Sequence, residues 1–155
     1  MKTHRKIAVA LLLVAALPAT ALSQTSSQTP SKTTEERQQR GAEVIRSLNN
    51  GETQPNLERM RDEFPFLAEA AEAYALGDVW AREGLDNRTR QLAAVTAFAA
   101  LGETGIMRVH AGYALNIGVT EEELKEAIYL VTVTSGFPRA IAASQALSEL
   151  FAERR

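Results

Sequence analysis

The chain contains no cysteine, and that absence removes more chemistry than any other feature of the sequence. Disulfides, thiolate nucleophiles, thiol–disulfide relays and cysteine-ligated metals are all excluded. Stability must come instead from core packing or subunit association. Histidine is almost as scarce: of two, His4 lies in the first few residues and only His110 lies in the body of the chain. A His-rich metal site is therefore excluded, and no HExxH, CxxC or EF-hand pattern is present. Neither a GxSxG elbow nor a phosphate-cradling glycine loop occurs. Lys and Arg total 17 against 19 Asp and Glu, for a net charge of −2, and the basic residues form no cluster. Such a chain is a poor nucleic-acid binder. Strand-like alternation is missing too, and no internal repeat is visible.

The first 23 residues stand apart. Lys2, Arg5 and Lys6 precede an apolar run from Ile7 to Leu17, which Pro18 breaks before a series of small residues. This is the pattern of a secretory signal peptide over 1–23, with cleavage expected after Ser23, and its apolar part is short for a membrane span. An uncleaved N-terminal anchor is the alternative. Losing the leader moves the net charge from −2 to about −5, because the three basic residues go and no acid does. The product is expected to be exported, periplasmic or secreted, with no membrane attachment after cleavage. Residues 24–34, QTSSQTPSKTT, are Ser/Thr/Gln-rich and predict a flexible linker. Residues 35–155 remain for one domain of common size.

That domain reads as all-α. Glu35 to Leu48 is an amphipathic helix stopped by Asn49-Asn50-Gly51, and a short segment from Leu57 to Phe64 ends at Pro65. Phe66 to Trp80 follows, with Leu67, Ala70, Ala71, Tyr74 and Ala75 at helical spacing. Asp86 is a good N-cap for a helix from Arg88 to Leu101, which is apolar on nearly every face and predicts a central buried element. Gly102 ends it. Thr104 opens the next helix, which runs to Asn116 and stops at Gly118. Thr120 and Glu123 form a capping box for a helix to about Thr134, and Pro138 suits the first turn of a last helix through Phe151.

His110 lies beside a stripe of Ile106, Val109, Tyr113 and Ile117, so it points toward a core or a subunit interface. Two readings follow: a buried neutral imidazole with a structural hydrogen bond, or a general acid/base titrating near neutrality.

The most distinctive stretch is residues 77–120, GDVWAREGLDNRTRQLAAVTAFAALGETGIMRVHAGYALNIGVT. GDVW, GLDNRTR, the Ala-rich helix with ALG, H-x5-N-x-GVT and the later GFPRA resemble, in order and spacing, the carboxymuconolactone decarboxylase family, from about Arg40 to the C-terminus. The resemblance implies an antiparallel helical bundle that associates as homotrimers or hexamers. It also implies cofactor-independent decarboxylation, or related lyase or isomerase chemistry, on a small carboxylated lactone or acid. In the alkylhydroperoxidase D-like branch a Glu, a CxxC and a His form a redox relay. The aligned positions here are Gln91, Glu103, Ile106 and His110, so both thiols and the acid are gone and thiol peroxidase activity is excluded.

In the decarboxylase branch the reaction needs donors for carboxylates and a proton donor or acceptor at carbon. The resemblance makes His110 the candidate acid/base, Gln91 a hydrogen-bonding partner of substrate or imidazole, and Trp80 a pocket wall. Arg139 is the candidate carboxylate clamp, with Arg88 and Arg90 able to serve likewise. Thr134 stands where the decarboxylases carry a tyrosine. A catalytically inactive small-molecule binding or scaffold protein of the same fold is the alternative function, and a purely interfacial role for His110 is a third possibility.

Overall fold

The computed structural model describes residues 32–155; the expected signal peptide and most of the expected linker lie outside them. The described residues form seven α-helices and one π-helical segment. They are α1 (Thr34–Leu48), α2 (Pro55–Glu63), α3 (Pro65–Ala70), the π segment (Ala71–Trp80), α4 (Asn87–Leu101), α5 (Thr104–Asn116), α6 (Glu121–Ser135) and α7 (Phe137–Glu153). Among these residues there is no strand, and the all-α expectation holds.

The helix ends follow their local chemistry. Thr33 and Glu36 form a capping box, so α1 starts at Thr34, within the stretch assigned to the linker. Asp86 caps α4 by accepting from the Thr89 amide at 2.7 Å, and Gly102 closes that helix at a left-handed φ of 84°. Thr120 and Glu123 form the expected capping box of α6. Gly136, at φ 83°, separates α6 from α7 and allows Pro138 into the latter's first turn.

Packing divides the domain into two apolar clusters that share α5. Helices α4, α5, α6 and α7 enclose the larger one, with Val95, Met107, Leu124, Val131, Leu147 and Phe151 at its centre. The smaller one lies under α1, α2 and the π segment and joins Ile45, Leu48, Leu57 and Ala68 to Tyr113. On α5, Met107, Ala111 and Ala114 face the first cluster, and Val109, Tyr113 and Ile117 face the second. The stripe beside His110 is therefore the second apolar face of a helix with two.

Two expectations are corrected here. The residues at helical spacing in 66–80 do not share one buried face: Leu67 and Tyr74 are exposed and Ala71 packs against the smaller cluster, while Ala68, Glu72, Ala73 and Gly77 are buried. The reason is close approach. A side chain on Gly41 of α1 would run into the Glu72 carbonyl, and one on Gly77 into the Arg37 carbonyl, so the two helices meet through backbone and small residues. Arg37 seals the contact by donating from Nε to Asp78 at 2.8 Å. The Glu72 side chain, 5% exposed, is held by the Arg61 guanidinium of α2. The second correction concerns α4, which is not buried on every face. Gln91, Val95 and Ala99 are buried, but Ala93 and Ala97 are exposed, and the open side forms an apolar groove with Ala127 and Leu130 of α6.

Candidate functional site

The π segment, α2, α4 and α5 surround a cavity of about 490 Å³. Ala71, Ala75, Leu76 and Trp80 line it from the π segment, and Leu57 and Met60 from α2. Alanines 94 and 97 with Phe98 come from α4, and Val109, His110 and Tyr113 from α5. The wide π turn is what places Trp80 here: the Ala81 amide bonds the Leu76 carbonyl five residues back at 2.9 Å. The indole is then oriented by a bond from its Nε1 to Asn87 Oδ1 at 3.1 Å, at the first residue of α4.

Three aromatic rings surround the imidazole. Phe98 stacks on it with centroids 5.2 Å apart, Trp80 lies tilted at 5.5 Å, and Tyr113 meets it edge-on at 6.0 Å. His110 Nδ1 is 2.8 Å from Gln91 Oε1. Gln91 is 0% exposed and is not part of the cavity wall, so it holds the imidazole from behind and does not meet a ligand in this pocket. Of the two roles expected for it, the imidazole partner is the one that the geometry supports.

The amide of Gln91 can bond the imidazole in either sense. With Oε1 toward Nδ1, the ring donates to Gln91 and its other nitrogen keeps a free lone pair; this leaves Gln91 Nε2 buried and without a partner. With the amide turned over, Nε2 donates to Nδ1 and the ring keeps an N–H on its other nitrogen. A buried orphan carbonyl then replaces a buried orphan N–H, the less costly of the two. A neutral partner thus supports both the base form and the acid form of a neutral imidazole, and unlike a carboxylate it brings no charge to stabilise the cation.

Burial accordingly dominates the titration of His110, lowering its pKa to about 4. This displaces the near-neutral value expected of a lone histidine. The consequence for stability has a definite sign. Between pH 6.5 and about 4 the unfolded chain binds a proton that the folded chain refuses, so stability is full above pH 6.5 and falls as the pH drops through that window. The expected loss is up to about 3 kcal/mol. Glu123, held by Arg88 and lowered to about 2, keeps its contribution through this window and loses it only as the pH falls below the ordinary carboxylate range. Denaturant melts between pH 7 and 5 should therefore show a decline in the native chain that is absent in His110→Phe; equal slopes would contradict a buried neutral imidazole.

Tyr113 and Gln54 belong to the site although sequence reasoning did not single them out. The Tyr113 ring is 5% exposed, and its hydroxyl accepts from Gln54 Nε2 at 2.9 Å, leaving its own O–H as a donor beside the cavity. Burial raises the phenol pKa, so the proton stays on. The spacing of Tyr113 three residues after His110 was a usable signal. Gln54 offered none, since it sits in the irregular stretch before α2.

The arginines are placed elsewhere. Arg139 is exposed, with its guanidinium against Gly102 at the C-terminal end of α4, where the helix dipole favours a cation. It is absent from the cavity wall and is not brought together with His110. Arg88 pairs with Glu123 of α6, and Arg90 donates to the carbonyls of Leu85 and Arg82 at 3.1 and 2.6 Å. Both organise the start of α4.

The carboxymuconolactone decarboxylase family model matches residues 65–149, the span from α3 into α7 that supplies Trp80, Gln91, Phe98, His110 and Tyr113. The chain is 35% identical over 118 residues to 4-carboxymuconolactone decarboxylase of Acinetobacter baylyi, covering 76% of this chain and 88% of that protein. It is also 35% identical over 89 residues to nitrosuccinic acid decarboxylase of Metarhizium robertsii, covering 54% of this chain and 61% of that one. The match to the first relative extends over most of both chains, and this protein belongs to the carboxymuconolactone decarboxylase family.

Proposed function

We propose that this protein is an exported, cofactor-independent carboxy-lyase acting on a small carboxylated acid or lactone, with His110 as its acid/base. The observation that carries this reading is the imidazole itself: neutral, fixed by Gln91, and walled by aromatic rings at a ligand-sized cavity. Two decarboxylases among the relatives support the reaction class. In the proposed reaction the bond from the substrate carbon to its carboxylate breaks, and CO2 leaves. The electron pair passes into a carbonyl of the substrate conjugated to that carbon. The Tyr113 O–H hydrogen-bonds the resulting enolate oxygen without losing its proton, and the imidazole N–H delivers the one proton to the carbon and recovers it from water, whose hydroxide leaves with CO2 as bicarbonate.

Homotrimers or hexamers are part of the proposal. The apolar groove between α4 and α6 supports association, as do the exposed Leu130 and Val133 beside it, at 54% and 82% exposure. Export rests on the leader pattern of residues 1–23. A second reading, a binding protein of the same fold without turnover, is favoured by the neutral Gln91 behind the imidazole and by Thr134 in place of the tyrosine. CO2 release from a panel of carboxylated lactones and β-keto acids, with melting temperatures followed in parallel, separates the two. Release stoichiometric with substrate loss is the expected result. Melting shifts without release would replace the lyase reading with the binding one, and neither signal would overturn both.

A further inference from the structure

The cavity holds few groups that could meet a carboxylate. Among the described residues, no Lys or Arg lines it. Its polar atoms are the imidazole, the Tyr113 hydroxyl, and the amides of Gln54 and Asn56; the rest is aliphatic or aromatic wall. Trp80 Nε1 is already committed to Asn87. The three arginines that could have turned inward are held elsewhere, by Gly102, Glu123 and two backbone carbonyls. Neither arginine of α2 lines the cavity: Arg61 is paired with the buried Glu72, and Arg59 is exposed.

From this we infer that the site takes a monocarboxylic acid with a largely apolar, ring-sized body and discriminates against dicarboxylic acids. The inference rests on the lyase reading for its chemistry and adds the substrate class. A second carboxylate would have to be buried with neither a counter-ion nor enough N–H donors to replace its water, which is costly even when partly screened. The single carboxylate that leaves is a different matter. Stripped of water against the apolar wall, it is destabilised relative to a transition state whose charge is spread into the carbonyl at Tyr113, so the same lack of cations that excludes a diacid favours loss of CO2. The size also fits: about 490 Å³ holds on the order of 10–15 non-hydrogen atoms.

The test uses the full chain and the protein's own reporter, since Trp80 is its single tryptophan and lines the cavity. Titration with cyclohexanecarboxylate and with trans-cyclohexane-1,4-dicarboxylate, neither of which has a carbonyl to accept the electron pair, reads binding through Trp80 fluorescence without requiring turnover. The monoacid should bind at least tenfold more tightly. Ile106→Lys adds the missing charge at the rim, where Ile106 is 41% exposed and a lysine stem can lie along the wall. It should tighten the diacid at least tenfold more than it tightens the monoacid. Equal binding of the two acids by the native chain, or preference for the diacid, would overturn the inference, and so would an Ile106→Lys variant whose discrimination is unchanged. In parallel, 2-oxocyclohexanecarboxylate is followed for CO2 release above its uncatalysed rate. Monoacid preference without accelerated release would refute the lyase reading and leave the ligand class standing; release with diacid preference would do the reverse.

Discussion

Replacing His110 by alanine is expected to lower kcat/KM for CO2 release by a factor on the order of 10²–10⁴, the range for loss of a positioned general acid or base. The fold should survive, because the imidazole sits on the cavity face of α5 and not on the Met107, Ala111 and Ala114 face that builds the larger core. The more incisive variant is His110→Gln, which keeps a polar side chain within reach of Gln91 but cannot carry a proton. Full activity in His110→Gln would end the acid/base mechanism. The pH profile supplies a second constraint. Because burial takes the imidazole to a pKa of about 4, its protonation state is constant from pH 8 down to about 5, so kcat/KM should stay level there and change only below that. Gln91→Glu places a carboxylate 2.8 Å from Nδ1 in the existing geometry, which favours the imidazolium, so the inflection should move up toward neutrality. A native profile that already inflects near pH 6.5 would mean that the ring is solvated in the working state.

What could be read from the sequence divides along a physical line. The helix ends at Asp86, Gly102, Gly118 and Thr120 are legible because a cap is decided by residues three or four apart. His110 and Gln91 emerged as a pair only through the family resemblance, since nothing local to either announces a 2.8 Å contact between α4 and α5. Arg139 shows the opposite failure. Its residue type suits a carboxylate clamp, but its guanidinium lies against Gly102 at the end of another helix, which periodicity cannot register. The π segment was read as ordinary helix because the apolar spacing of Leu67, Ala71 and Tyr74 suits α-geometry. The inward face proved to be the small one, through Gly77 and Ala73, with Glu72 buried by virtue of Arg61. The pKa of His110 was illegible for the same reason: desolvation is a property of the assembled aromatic cage, not of any segment.

The π segment also gives the largest expected effect on stability, in Gly77→Ala. A methyl group there would occupy the space of the Arg37 carbonyl across the helix–helix contact and crowd the Glu72 carbonyl within its own segment. Both obstacles are backbone, so no rotamer change relieves them, and α1 must move away from the π segment. Overpacking of this kind costs about 1–3 kcal/mol, and a contact between two backbones belongs at the upper end. For a domain of this size that corresponds to a fall in Tm of roughly 10 °C. Gly105→Ala is the internal comparison. Gly105 lies in α5 with open space where its Cβ would be, so alanine should be neutral or stabilise by up to about 1 kcal/mol through helix propensity. The displacement should reach the site as well. Arg37 and Arg40 of α1 bond Asp78 and the Ala81 carbonyl, the residues on either side of Trp80. Gly77→Ala should therefore alter Trp80 fluorescence and weaken ligand binding at temperatures where the chain is still folded. If Gly77→Ala instead melts with Gly105→Ala and leaves the emission of Trp80 unchanged, the close contact between α1 and the π segment is not what holds the indole against His110.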